Sequence, residues 1–293
     1  MVFHELPNEI LHEIGDILMS NVLTGFREYD SRSYFGKEKA EDKIYNLSSL
    51  ARLCRANHRF NAVFEPYLYK CGARMESQPL YGLFRPQKPA MWATILNQPT
   101  TLKKVLIHGL DPNIPVEFGS HSRSSLLHRA TIPNPNLEIM KVLLDHGADV
   151  RFQDDHHRTP LHAIVDSQYN HMRNVEKTEA GIKILLEYGA NINARRRQVG
   201  TALNAAVFCV DGNVMARILL RNGADVNAVG LTPDQRTPLH EAVARSYWDT
   251  VPVLIEYGAD IMVIDGQGKT VYDVLVENER FDKFSEILDD LDL

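Results

Sequence analysis

Two short phrases alternate along this chain, and they constrain its fold more than any other feature. The first reads Ser-Leu-Leu-His at Ser125, Thr-Pro-Leu-His at Thr159, Thr-Ala-Leu-Asn at Thr201, Thr-Pro-Leu-His at Thr237 and Thr-Val-Tyr-Asp at Thr270. The second reads Leu-Leu-Asp-His-Gly-Ala-Asp from Leu143, with copies at Leu185, Leu219 and Leu254 and a weaker one at Val105. The spacings of the first phrase are 34, 42, 36 and 33 residues. A period near 33 identifies an array of helical repeats, each unable to bury its apolar face without a neighbour.

Each phrase has a physical job. Thr159 and Thr237 can cap a helix with the hydroxyl, and Pro160 and Pro238 then occupy the first helical position, where no N–H is needed. Gly147, Gly189, Gly223 and Gly258 follow the second apolar run, where a helix ends in a left-handed residue. Small and turn-forming residues come next. The expected unit is helix, turn, helix, hairpin.

These phrases closely resemble the ankyrin repeat, whose pattern contains Thr-Pro-Leu-His and Gly-Ala-Asp. The resemblance runs from about Met91 to the C-terminus, and four units match it well. Ala202 and Asn204 depart from it, as do Val271 and Tyr272 in the last unit, where a degenerate cap is expected. The second unit carries eight extra residues between its two phrases, within Asp166–Gly181, read as a lengthened helix or a solvated loop.

The N-terminal region has a different pattern. Leu6, Ile10, Ile14 and Ile17 recur at steps of four, four and three, one face of an amphipathic helix. Pro7 fits its first turn. The stretches Leu50–Phe60 and Glu65–Tyr69 follow, so three short helices would form a small core. Leu6, Pro7, Glu9, Ile10, Leu11 and Ile14, with "LARLCRANHRF" and "EPYLY", resemble an F-box. That resemblance implies docking to the Skp-type linker protein of cullin ubiquitin ligases, through Leu6, Pro7, Ile10, Leu11, Leu50 and Leu53; the alternative is an ankyrin scaffold or regulatory binding protein whose F-box-like helices only cap the array. The polar stretch 20–46 is longer than the usual link between F-box helices and reads as a looped-out insertion. The expected architecture is all-α: an F-box-like unit at 1–70, a connector at 71–90, and an ankyrin solenoid with β-hairpin loops at 91–293. Five to six units, degenerate caps included, would fill the last of these.

Composition narrows the function classes. A net charge of −6 disfavours a nucleic-acid surface. No apolar run is long enough for a bilayer-spanning helix. The scattered Cys54, Cys71 and Cys209 give no disulfide framework or metal spacing, which suits a cytoplasmic or nuclear protein. His128, His162 and His240 fall in the capping phrase and read as structural. Asp154–Arg158, with two adjacent histidines, reads as a solvated tip without a second ligand pair. No nucleophile motif appears. Neither an enzyme nor a cofactor or metal is expected, and the chain reads as a monomer outside its complexes.

A binding role is better supported. The ankyrin resemblance implies a concave surface made by the first helices and the loop tips, which here selects Ile132, Arg158, Asp166, Arg196, Phe208, Arg236, Arg245 and Trp248 as contacts for a protein cargo. Tyr247 adjoins them. Aromatic and arginine side chains dominate protein contacts, so Phe208, Trp248, Arg236 and Arg245 are the strongest of these. For Phe208 and Trp248, packing between repeats is the competing reading.

Overall fold

The computed structural model describes residues 89–118, 122–132, 134–166 and 174–291. The F-box-like segment, including Leu6, Pro7, Ile10, Leu11, Leu50 and Leu53, lies outside the described residues, as does the insertion at 20–46. The chain divides into two compact bodies, 1–114 and 115–293. In the first, helices α1 (Pro89–Ile95) and α2 (Pro99–Ile107) pack together. Pro99 sits in the first turn of α2, and the Gln98 amide just before it donates to Ala93 O at 2.7 Å.

The second body opens with an antiparallel hairpin, β1 (Val116–Phe118) and β2 (Ser122–Ser124), in the register Val116 opposite Ser124. Five helix pairs follow: α3 (Leu126–Thr131) with α4 (Leu137–Asp145), α5 (Pro160–Val165) with α6 (Val175–Glu187), α7 (Ala202–Ala206) with α8 (Gly212–Arg221), α9 (Pro238–Ala244) with α10 (Val251–Glu256), and α11 (Val271–Glu277) with α12 (Phe281–Asp290). The first helices stack in one row, α3 on α5 on α7, with α9 on α11, and the second helices in another, α4 on α6 and α8 on α10 on α12. Hairpins were expected at every loop. Among the described residues the only ladder is β1–β2, with one isolated bridge between Arg196 and Gly200; the other loops close as turns.

The two phrases explain the packing. The second-phrase leucines Leu143, Leu185, Leu219 and Leu254 are fully buried, as are Leu127, Leu161, Leu203 and Leu239 of the first phrase. Each such side chain contributes about 2 kcal/mol relative to exposure. The second helices end as the glycines require: Gly147, Gly189, Gly223 and Gly258 have φ of +87°, +86°, +88° and +84°. The alanine after each donates back to the leucine carbonyl five residues earlier, for example Ala224 to Leu219 at 3.1 Å. A Cβ on Gly223 would meet nothing within 4 Å. Gly223→Ala is therefore expected to cost only the left-handed backbone penalty, about 1 kcal/mol, as a small shift of the urea midpoint.

The insertion of the second repeat is divided between helix and linker. Helix α6 has 13 residues against nine in α4, beginning a turn early, and the linker before it is longer by the remainder. Its start is tied back to the preceding repeat by Asn174 N–H, which donates to Asn134 Oδ1 at 2.8 Å. Gly181 lets α6 lie close, since a Cβ there would be 2.7 Å from Ile164 Cδ1.

Candidate protein-interaction surface

The fourth residue of the first phrase sets the spacing of the repeats. His128 Nδ1 lies 2.8 Å from Ser125 Oγ, His162 Nδ1 2.9 Å from Thr159 Oγ1, and His240 Nδ1 2.8 Å from Thr237 Oγ1. Each Nε2 meets the carbonyl just before the next repeat's phrase: Arg158 O at 2.8 Å, Gly200 O at 3.3 Å and Lys269 O at 3.1 Å. A carbonyl can only accept, so Nε2 carries the proton and Nδ1 accepts the hydroxyl. Burial holds all three histidines neutral by pushing their pKa down, that of His162 to about 4. Asn204 copies the arrangement, with Oδ1 accepting Thr201 Oγ1 at 2.8 Å and Nδ2 donating to Ala228 O at 3.0 Å. These polar side chains are struts between repeats.

The loop tips rest on buried carboxylates that the sequence reading missed. Asp154 accepts the amides of His156 and Arg158 at 2.9 and 2.8 Å and Arg158 Nε at 2.8 Å. Asp265 accepts the amides of Gln267 and Lys269 at 2.8 and 3.0 Å and Arg236 Nε at 3.4 Å. Burial alone would raise both pKa values; these N–H groups and the arginines outweigh it and hold both carboxyls below the ordinary range. The available signal was positional, each aspartate standing five residues before its threonine. Among the described residues no His, Cys, Asp and Glu cluster could hold a metal ion, and Asp154 is turned inward.

This geometry redistributes the expected contact residues. Arg196 is buried rather than presented at a solvated tip, with Nη1 2.9 Å from Asp166 Oδ2. Arg158 Nη1 reaches the same carboxylate oxygen at 4.0 Å. Arg158, Asp166 and Arg196 thus form one ion-pair network across two repeats, with most of their charge spent internally. Arg236 is similarly engaged by Asp265. Arg129 Nη1 donates to Ile132 O at 3.0 Å, fixing the turn after α3. Trp248 is half-buried in the turn before α10.

Phe208 and Arg245 differ from that network. Arg245 follows α9 directly, as Ile132 and Asp166 follow α3 and α5, and Phe208 stands one residue further on after α7. The Arg245 guanidinium lies 4.9 Å from the Phe208 ring centroid, and its Nε is held by the buried Glu241 carboxylate at 3.0 Å. The Tyr247 ring meets Phe208 edge-on at 6.5 Å. Phe208 nevertheless remains 39% exposed and the Arg245 side chain 54% exposed. The cluster is a rigid, partly apolar platform with an exposed guanidinium edge, already ordered before any contact is made.

The comparisons with known proteins agree with this geometry. A family model described as ankyrin repeats (3 copies) matches residues 90–196 and 174–265. Human ankyrin repeat and SOCS box protein 16 is 32% identical over 184 residues, 60% of this chain and 37% of that protein. Human ankyrin repeat and SOCS box protein 6 is 30% identical over 262 residues, 82% of this chain and 54% of that protein. The chain thus spans about two fifths to one half of these relatives. The crystal structure of the ankyrin repeat domain of Bcl-3, a member of the IkappaB protein family, superposes with a TM-score of 0.58 at 23% identity, covering 75% of this chain and 92% of that one. No helix among the described residues is long and apolar enough to cross a membrane.

Proposed function

The chain belongs to the ankyrin-repeat family, and we propose that it is a non-enzymatic adaptor whose first-helix ends around Phe208 hold a protein cargo while residues 1–70 dock a Skp-type linker of a cullin ubiquitin ligase. The observation that carries the cargo half is the Phe208–Arg245–Tyr247 cluster: two aromatic rings and a guanidinium are held in a fixed arrangement, with Phe208 and Arg245 left exposed. Such side chains lose little entropy on contact and often carry most of an interface's energy. The linker half rests on Leu6, Pro7, Ile10, Leu11, Leu50 and Leu53. Two relatives pair ankyrin repeats with a SOCS box by name, so an array joined to a second module has precedent among them. Any chemistry would belong to the recruited enzymes, with the array contributing proximity.

The test is a pull-down of the linker protein by the full chain, beside a Leu6→Asp, Pro7→Ala variant checked for unchanged helix content. Capture by the parent and loss in the variant are expected. Failure of the folded parent to bind would leave an ankyrin scaffold outside the ligase system. A cargo recovered with the parent is expected to bind the Phe208→Ala, Arg245→Ala variant about 30-fold more weakly, or about 2 kcal/mol. Equal affinity would move the cargo surface elsewhere.

A further inference from the structure

Two polar ladders run between repeats, and neither has a rung at the last described repeat. In the first, the carbonyl of the Asn193 side chain accepts Asp225 N–H and that of Asn227 accepts Asp260 N–H, each at 2.9 Å. The equivalent place in the following repeat holds Met262, which is exposed. In the second, the donor that His128, His162, Asn204 and His240 aim at a neighbouring repeat is replaced by Asp273, a carboxylate that has none. Its Oδ2 is occupied by Thr270 N–H and Oγ1 at 2.8 and 2.7 Å, which keep it ionised.

The apolar positions of that face do not stop. Leu127, Leu161, Leu203 and Leu239 are at most 1% exposed, whereas the equivalent Tyr272 is 54% exposed. Val165, Val207 and Val243 are fully buried, whereas the equivalent Val276 is 54% exposed. Phe281 opens α12, also exposed, with its ring 5.5 Å from that of Tyr272. A face open to water is expected to be polar. Here it is apolar where stacking would continue.

Charge decides what can cover it. Residues 270–291 hold seven acidic residues against two basic ones, a net −5 in a chain of net −6. One of the two bases, Arg280, is turned inward to the carbonyls of Val243 and Ala244. Asp289 and Asp290 stand in the last turn of α12, where the helix dipole disfavours anions. A second copy of this face, or an anionic lipid surface, would be repelled. Another ankyrin repeat in register would set a backbone carbonyl against the Asp273 carboxylate.

We propose that the open face of the last repeat docks an amphipathic helix of a partner protein, one that carries lysine or arginine beside an apolar stripe. Tyr272, Val276 and Phe281 take the stripe, and the α12 carboxylates Asp282, Asp289 and Asp290 take the basic flank. This surface is separate from the Phe208 platform and does not depend on its role.

The experiment uses the full chain and two fluorescent helical peptides of about 20 residues sharing one Leu/Ile stripe, the first flanked by Lys and Arg and the second by Glu. The basic peptide is expected to saturate the protein at least about tenfold more tightly than the acidic one, with the difference shrinking in salt. Tyr272→Ser with Phe281→Ser should weaken it about tenfold or more, and Phe208→Ala should leave it unchanged. Asp289→Lys with Asp290→Lys should also weaken it while raising the unfolding midpoint, an opposition that a purely structural role would not produce. The proposal is overturned by the absence of saturable binding, by equal binding of a peptide with a scrambled stripe, or by a parent that sediments as a dimer dissolved by Phe281→Ser.

Discussion

His162→Ala is expected to destabilise the array by about 4 kcal/mol, among the largest effects of any single polar substitution in this chain. The imidazole is fully buried, so its removal leaves a cavity. It also leaves the Thr159 hydroxyl, 2.9 Å from Nδ1, without its partner, and the Gly200 carbonyl, 3.3 Å from Nε2, with Arg196 N–H as its remaining donor. Each unsatisfied buried group costs roughly 1–3 kcal/mol. His162→Asn should recover only part of this. Asn204 shows that an amide can cap the threonine, but its shorter reach takes it to Ala228 O, while Arg236 O is satisfied by Gly230 N–H at 2.7 Å. An asparagine at 162 would restore the cap but not the bond that links it to Gly200 O, which would keep only Arg196 N–H. Urea unfolding of the three proteins at neutral pH should rank them wild type, His162→Asn, His162→Ala. Equal stability of the alanine variant would remove the strut from the account.

The same histidine gives the array an acid sensitivity with a defined window. Its pKa is about 4 in the fold against 6.5 for the free side chain, so between these values the unfolded chain binds more protons than the folded one. Stability is then full above about pH 6.5 and is lost as pH falls toward 4, by about 2 kcal/mol at pH 5 and about 3 kcal/mol at the end of the window. Burial displaces His128 and His240 in the same direction, which steepens the loss. Asp154 and Asp265 lie below the ordinary carboxylate range, so their loss falls at lower pH and does not mimic this one. His162→Asn should flatten the slope between pH 7 and 5.

The repeat was legible in the sequence because its determinants are local. A capping threonine, a proline at the first helical position and a left-handed glycine each act within a few residues, and each stands where it was read. The terminal Thr270 phrase kept its cap through Asp273 even though the letters had changed, since a carboxylate accepts both Thr270 groups. The roles of the charged residues were not legible. The sequence reading makes Arg196 a cargo contact at a loop tip, and its burial against Asp166 depends on a partner 30 residues away. Asp154 looked like part of a polar tip, and only the folded loop shows that its carboxylate is the tip's anchor. Phe208 and Arg245 were singled out by residue type and projected position, but their stacking required the spacing of two adjacent repeats. Phrases that act through the backbone announce themselves in sequence; pairings across repeats do not.

Gly200→Ala is expected to cost about 3 kcal/mol, well beyond the effect at Gly223, and the difference isolates a steric contribution. Both glycines have positive φ, +109° at Gly200, so both would pay for a Cβ through the backbone. Only at Gly200 does that Cβ also collide, 2.6 Å from Asn204 Oδ1 and 2.9 Å from Gly230 Cα. Neither neighbour can yield cheaply. The Asn204 amide is fixed by Thr201 N–H at 2.9 Å and by Ala228 O, and Gly230 belongs to the backbone of the following loop. Because the Gly200 carbonyl is also the acceptor for His162 Nε2, moving it strains the strut described above. Gly200→Ala and His162→Ala should therefore be non-additive, the double variant losing at least about 1 kcal/mol less than the sum of the singles. Strict additivity in urea unfolding would mean that the two act through separate contacts, and that the repeats here are held apart by packing rather than by this hydrogen bond.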